Sequence, residues 1–170
     1  MAMTGKEFVK HVEEKIEPLL RASELQTAAY FRNQPDLDDA IHHFKRRMFN
    51  ERMNVVEIAK TLADLPASTD PVQIKLLSKQ VLDEAKHYDM VRNVIEYLTG
   101  QPMSDQEIEE EFAWQMKPEN VKAKGASLFE EIGAEGDETL TAVYQFVAEG
   151  RAGRVWFAMA NSIDDPVVKL

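Results

Sequence analysis

The stretch PVQIKLLSKQVLDEAKHYDMVRNVIEYL, residues 71–98, decides the fold. Its apolar residues Ile74, Leu77, Val81, Tyr88, Val91, Ile95 and Leu98 recur by alternating steps of three and four. That is the inward seam of a helix packed against other helices. One member of the alternation is not apolar: position 84 is Glu84. His87 follows one turn later on the same face, where imidazole and carboxylate can reach one ion together. Asp70 before Pro71 supplies a cap and a proline at the first helical position, and Thr99-Gly100-Gln101-Pro102 stops the helix.

Upstream, a helix over about Leu37 to Leu65 repeats the pattern with Ile41, Phe44, Met48, Glu51, Val55, Ile58, Leu62 and Leu65, again one carboxylate in an apolar seam. Pro66 to Pro71 is a compact connection, so the two helices form an antiparallel pair over 37–99. Residues 1–36 add an N-terminal helical segment with Phe8, Val12, Ile16 and Leu19 at helical spacing, and Pro18 predicts either a second helix start or a kink. Downstream, Ser104 and Glu107 have capping-box spacing for a short acidic helix reaching about Met116. Pro118, Gly125, Gly133 and Gly136 break the rest of an irregular crossover over 100–137. A third long helix over 138–163 carries the alternation Phe146, Glu149, Gly153, Trp156, Ala160, Ile163, and Asp164-Asp165-Pro166 turns into a further element. The expectation is one all-α domain, an antiparallel helical bundle.

Each long helix therefore points one glutamate inward. Isolated buried carboxylates cost several kcal/mol even after relaxation, so three in one core call for a compensating cation. At the helical rise, Glu51, Glu84 and Glu149 each lie about 20 Å from their turns. Glu51 and Glu84 fall at one level across an antiparallel pair. Glu149 joins them if the third helix packs with its C-terminal end at that end of the bundle. Glu51, Glu84, His87 and Glu149 are the candidate metal ligands, and oxygen donors with one imidazole suit iron or manganese. Asp83 is placed to orient the histidine ring. Glu57 lies off the seam and reads as a surface residue or as one that supports the ligands from behind. His42 and His43 are adjacent, cannot share one helix face, and read as packing or surface residues. His11 has no acid companion.

Composition removes several function classes. There are no cysteines, hence no disulfide, no thiolate metal site and no cysteine nucleophile, and the chain suits a reducing compartment such as the cytoplasm. A formal charge of −10 repels phosphate backbones, and Lys45-Arg46-Arg47 is a local solvated cluster, so no nucleic-acid partner is expected. No stretch approaches the roughly 20 apolar residues of a membrane span.

The string Asp83-Glu84-Ala85-Lys86-His87, preceded on the previous helix by a seam glutamate, resembles the ferritin-like di-iron carboxylate superfamily. It is similar to the Asp-Glu-x-Arg-His form of di-iron oxygenases, with Lys86 in place of arginine. The resemblance covers about residues 38–170. It implies two irons that activate dioxygen, Glu84 bridging them, His87 and Glu51 on one and Glu149 on the other, with Tyr88, Phe146 and Trp156 as cavity-lining or plain core aromatics. It also implies a second Glu-x-x-His roughly 30 residues after Glu149. The chain departs here, since it ends at Leu170. A longer parent protein, a neighbouring subunit or further copy supplying the fourth helix, and a metal-poor relative all account for that. So does a bundle completed by residues 4–32.

The leading expectation is a di-iron (or manganese/iron) oxidase or oxygenase acting on an organic substrate, with electrons from elsewhere. An iron-handling, rubrerythrin-like protein and a metal-free helical structural subunit are the alternatives.

Overall fold

The structure is a computed structural model that describes residues 3–122, 132, 136 and 138–165. It is all-helical; among the described residues there is no strand. The helices are α1 (Gly5–Arg32), α2 (Leu37–Ala63), α3 (Pro71–Thr99), α4 (Asp105–Gln115), α5 (Pro118–Lys122) and α6 (Glu138–Ala160). None of them is long and apolar enough to cross a membrane. The expected ends of α2, α3, α4 and α6 hold to within two or three residues, and α2, α3 and α4 are each capped. The Asp36 and Asp70 carboxylates accept the backbone N–H groups of Asp39 and Val72, each at 2.8 Å. Ser104 and Glu107 close a capping box, and Gly100 takes the left-handed conformation, φ 72°, that ends α3. The expected breaks at Gly125 and Gly133 and the element after Pro166 lie outside the described residues.

The chain divides into two compact units, one built from Asp36–Asn120 and the other from Met1–Pro35 with Val121–Leu170. In the first, α2 and α3 form the expected antiparallel hairpin. Residue numbers fall along one helix as they rise along the other: Glu51 lies against His87 and Asn54 against Glu84. Phe44, Met48, Glu51 and Ile58 are buried on α2, and Glu84, Val91, Val94 and Ile95 on α3. The α3 seam opens only toward the turn, where Ile74 is exposed. Helix α4 packs back on α2. Phe112 meets Phe49 edge-on with centroids 5.2 Å apart, Lys45 pairs with Glu111 at 3.7 Å, and Gln115 is fully buried.

The second unit pairs α1 with α6. Thr4 and Glu7 cap α1 reciprocally. Pro18 lies inside this helix, which continues unbroken from Gly5 to Arg32, so no second helix starts there. Proline removes one hydrogen bond and crowds the preceding turn, at a cost of about 3 kcal/mol. Packing of Leu20, Ala28 and Phe31 on the C-terminal side of Pro18 offsets it. The seam passes through Leu20 and leaves Leu19 exposed. Along α1 and α6 the residue numbers rise together. Phe8 and Val12 share a small apolar groove with Val143 and Phe146, and Leu20 lies beside Gly150. Further along, Arg151 donates to the Ser23 hydroxyl at 3.2 Å, and Arg154 bonds Glu24 at 3.1 Å and Glu17 at 2.9 Å. The two helices are thus parallel, an arrangement that needs a long connection between them. On α6 the buried positions are Val155, Ala158 and Met159, one residue out of register with the predicted seam; Phe146, Glu149 and Gly153 are exposed, and Trp156 is half-buried.

Candidate metal centre

Helical periodicity alone places Glu51 on the inner face of α2, between Met48 and Val55, and Glu84 on the inner face of α3, between Val81 and Tyr88. The hairpin brings both within one turn of the same level, close enough to share His87. Glu51 is 6% exposed and Glu84 5%, among apolar neighbours. His87 stands one turn beyond Glu84 with 44% of its side chain exposed. Its Nδ1 is 3.5 Å from Glu51 Oε2 and 3.8 Å from Glu84 Oε2. One ligand atom from each of the three residues lies within 4.8 Å of the others.

The group could hold a metal ion. Two donor atoms each about 2.1 Å from one ion are about 3.0–3.4 Å apart at right or tetrahedral angles. The spacings of 3.5 and 3.8 Å to His87 need to close by a few tenths of an ångström, and the widest spacing in the group, up to 4.8 Å, by about 1.4 Å or more, which side-chain rotation must supply. Two carboxylates with one neutral nitrogen form a hard-to-borderline donor set, suited to a divalent first-row ion. The open side of His87 leaves room for water or another small ligand.

The fourth sequence candidate, Glu149, lies on α6 in the other unit, where it is exposed. Asp83 does not take up the role of orienting His87. Its carboxylate accepts from Lys79, through a short bond, and from Lys86 at 3.2 Å, and these two hydrogen bonds hold its pKa below the usual value. The lysine standing where the resembling motif has arginine is thus engaged at the surface with its own neighbour.

Glu57 bonds Lys60 at 3.0 Å, as a surface residue would. His42 is exposed and meets Trp114 edge-on at 5.5 Å, and His43 packs edge-on against Phe44 at 5.5 Å. Burial, reinforced by Arg47, Arg46 and His42, pushes the His43 pKa down to about 4, which makes it a neutral packing residue at pH 7. Tyr88 is half-buried in the same hairpin.

One residue of the site escaped the sequence reading. Asn54 Nδ2 donates to Glu84 Oε2 at 3.2 Å. The available signal was spacing: Glu51-x-x-Asn54 on α2 mirrors Glu84-x-x-His87 on the facing helix.

No known protein family, curated protein or solved structure matches this chain. Its functional reading rests on the geometry of the site and on the motif.

Proposed function

We propose that this chain is a ferritin-like metalloprotein that holds iron, or manganese, at Glu51, Glu84 and His87 and uses it in oxidase- or oxygenase-type chemistry on an organic substrate. The observation that carries the reading is the convergence of two buried carboxylates and one imidazole from facing helices. Like-charged side chains brought together in an apolar seam destabilise a hairpin, and a bound cation turns that cost into binding energy.

Iron bound there supplies one-electron and dioxygen chemistry. The chain's own residues do the rest. Glu51 and Glu84 neutralise the ion's charge from the buried side. His87 supplies nitrogen and, being half-exposed, leaves one side accessible. The helix pair fixes all three in position. A second ion, as the resemblance implies, needs ligands beyond these three, and a partner subunit or a further copy of the chain is the proposed source. The cytoplasm is the proposed compartment, in keeping with a chain that has no cysteine.

The exposure of His87 favours a second reading, iron handling, because an ion reached from solvent can be exchanged as well as used. Metal analysis separates the readings from the metal-free alternative. Wild-type protein reconstituted anaerobically with Fe(II) or Mn(II) retains a stoichiometric ion after desalting, and Glu84→Ala does not. Negligible metal in both refutes the proposal. Oxygen uptake by the iron-loaded protein that continues with turnover supports the oxidase reading; a single stoichiometric uptake supports iron handling.

A further inference from the structure

The three proposed ligands do not stand alone. Asn54 lies one turn beyond Glu51 on α2, as His87 lies one turn beyond Glu84 on α3, and because the helices are antiparallel the pairs meet crosswise. Glu51 faces His87 at 3.5 Å and Asn54 faces Glu84 at 3.2 Å. The same Oε2 of Glu84 that accepts from Asn54 also lies 3.8 Å from His87 Nδ1. A carboxylate can only accept, so the amide nitrogen, not its oxygen, is the atom that faces Glu84. This donor pins one oxygen of a side chain with three rotatable bonds.

We propose that Asn54 is a positioning residue of this site, with two consequences. Its amide holds Glu84 in the ligating orientation. It also occupies, with a neutral group, the place where aspartate would add a third carboxylate, and so keeps the ligand set at two negative charges, matched to one divalent cation. The inference rests on the metal-site reading above and adds to it the group that sets the preference for a divalent over a trivalent ion. The physical basis is simple. A hydrogen bond to a metal-ligating carboxylate lowers the cost of ordering it, and partners of this kind typically contribute about 10–100-fold to metal affinity. Adding one more negative charge beside the ion favours a trivalent over a divalent ion by one extra charge–charge interaction.

The test uses the full chain with Co2+ and Tb3+ as probes, in wild type, Asn54→Ala and Asn54→Asp. Asn54 is exposed at its helix position, so both variants retain the apolar seam. Asn54→Ala is expected to lose about tenfold in Co2+ affinity by calorimetry and to shift the visible bands of bound Co2+, a signature that a purely structural residue does not move. Asn54→Asp is expected to raise the ratio of Tb3+ to Co2+ affinity by about tenfold or more. Wild-type affinity and spectrum in Asn54→Ala, or an unchanged ratio in Asn54→Asp, overturns the inference while leaving the three-ligand site standing. Failure of wild type itself to bind either ion overturns both.

Discussion

Replacing Glu84 by glutamine tests the site through stability alone, without any assumption about substrate. The exchange keeps the shape of the side chain and an oxygen able to accept from Asn54, and removes one charge. Glu51 and Glu84 are each more than nine-tenths buried, and their candidate ligand atoms lie no more than 4.8 Å apart. At that spacing two unit charges repel by about 3.5 kcal/mol at an effective dielectric of 20 and by about 0.9 kcal/mol at that of bulk water. Removing one charge therefore stabilises the metal-free protein by about 1–3 kcal/mol. For a chain of this size the Tm rises by roughly 2–12 °C.

Metal changes the comparison. At an Mn2+ concentration near 100 times Kd the wild type gains about 2.7 kcal/mol, whereas the glutamine variant, short of one ligand, gains little. Thermal unfolding followed by circular dichroism, in EDTA and in Mn2+, reads both effects at once. The variant should melt higher than wild type in EDTA, and its lead should shrink or reverse in Mn2+. A variant that melts at or below the wild-type temperature in EDTA refutes the repulsion argument. An equal Mn2+ shift in the two proteins refutes ligation by Glu84.

Two further outcomes follow from the packing. The folded-state pKa of His43, about 4, lies below its ordinary value of 6.5, so between these values the unfolded chain binds more protons than the folded one. Stability present above pH 6.5 is lost as pH falls toward 4, by at most about 3 kcal/mol. Urea midpoints at pH 7 and pH 4.5 should separate in wild type and draw together in His43→Phe; equal separation in both would show that another group carries the acid sensitivity. Met48 is completely buried beside Glu51, and Met48→Ala should cost about 2–5 kcal/mol in urea unfolding. Met90→Ala, at a 41% exposed position on α3, should stay within about 0.5 kcal/mol, and equal losses would mean that the seam is not the core of the hairpin.

How far the sequence could be read differs between the two units, for a physical reason. On α2 the large apolar residues after Leu37 keep to one face, and although α3 also exposes Val72, Leu76, Leu82, Met90 and Tyr97, its seam through Glu84, Val91 and Ile95 is the buried one, so the alternation of steps identified the faces that carry Glu51 and Glu84. On α6 large apolar residues lie on several sides: Phe146 and Phe157 are exposed while Val155 and Met159 are buried. Periodicity then admits more than one seam, and the choice that pointed Glu149 inward was out by one residue. Helix α1 followed its predicted spacing through Val12 and Ile16 before the buried line passed to Leu20. Of the two outcomes Pro18 predicted, a second helix start is ruled out, because local rules weigh the missing hydrogen bond and not the packing that offsets it. Asn54 was missed for a different reason. An asparagine next to a seam carries no signal until the facing helix places a carboxylate opposite it.

Two buried carboxylates in the seams of one hairpin are expected to cost it stability, and that is informative. Ion pairs and carboxylates in a helix seam are commonly replaced by well-packed apolar side chains with no loss, or with a gain of about 1–4 kcal/mol. Leucine at 51 and 84 would complete two uninterrupted seams. Glutamate instead stands within one turn of the same level on both helices, which brings like charges within 4.8 Å of each other. A histidine one turn on from one glutamate, and an amide one turn on from the other, then fill the crosswise positions. Random interruption of a seam does not align two interruptions across a turn or supply each with a polar companion at the same spacing. A ligand shared by both helices, the cation proposed above, accounts for the placement and for the residue types together.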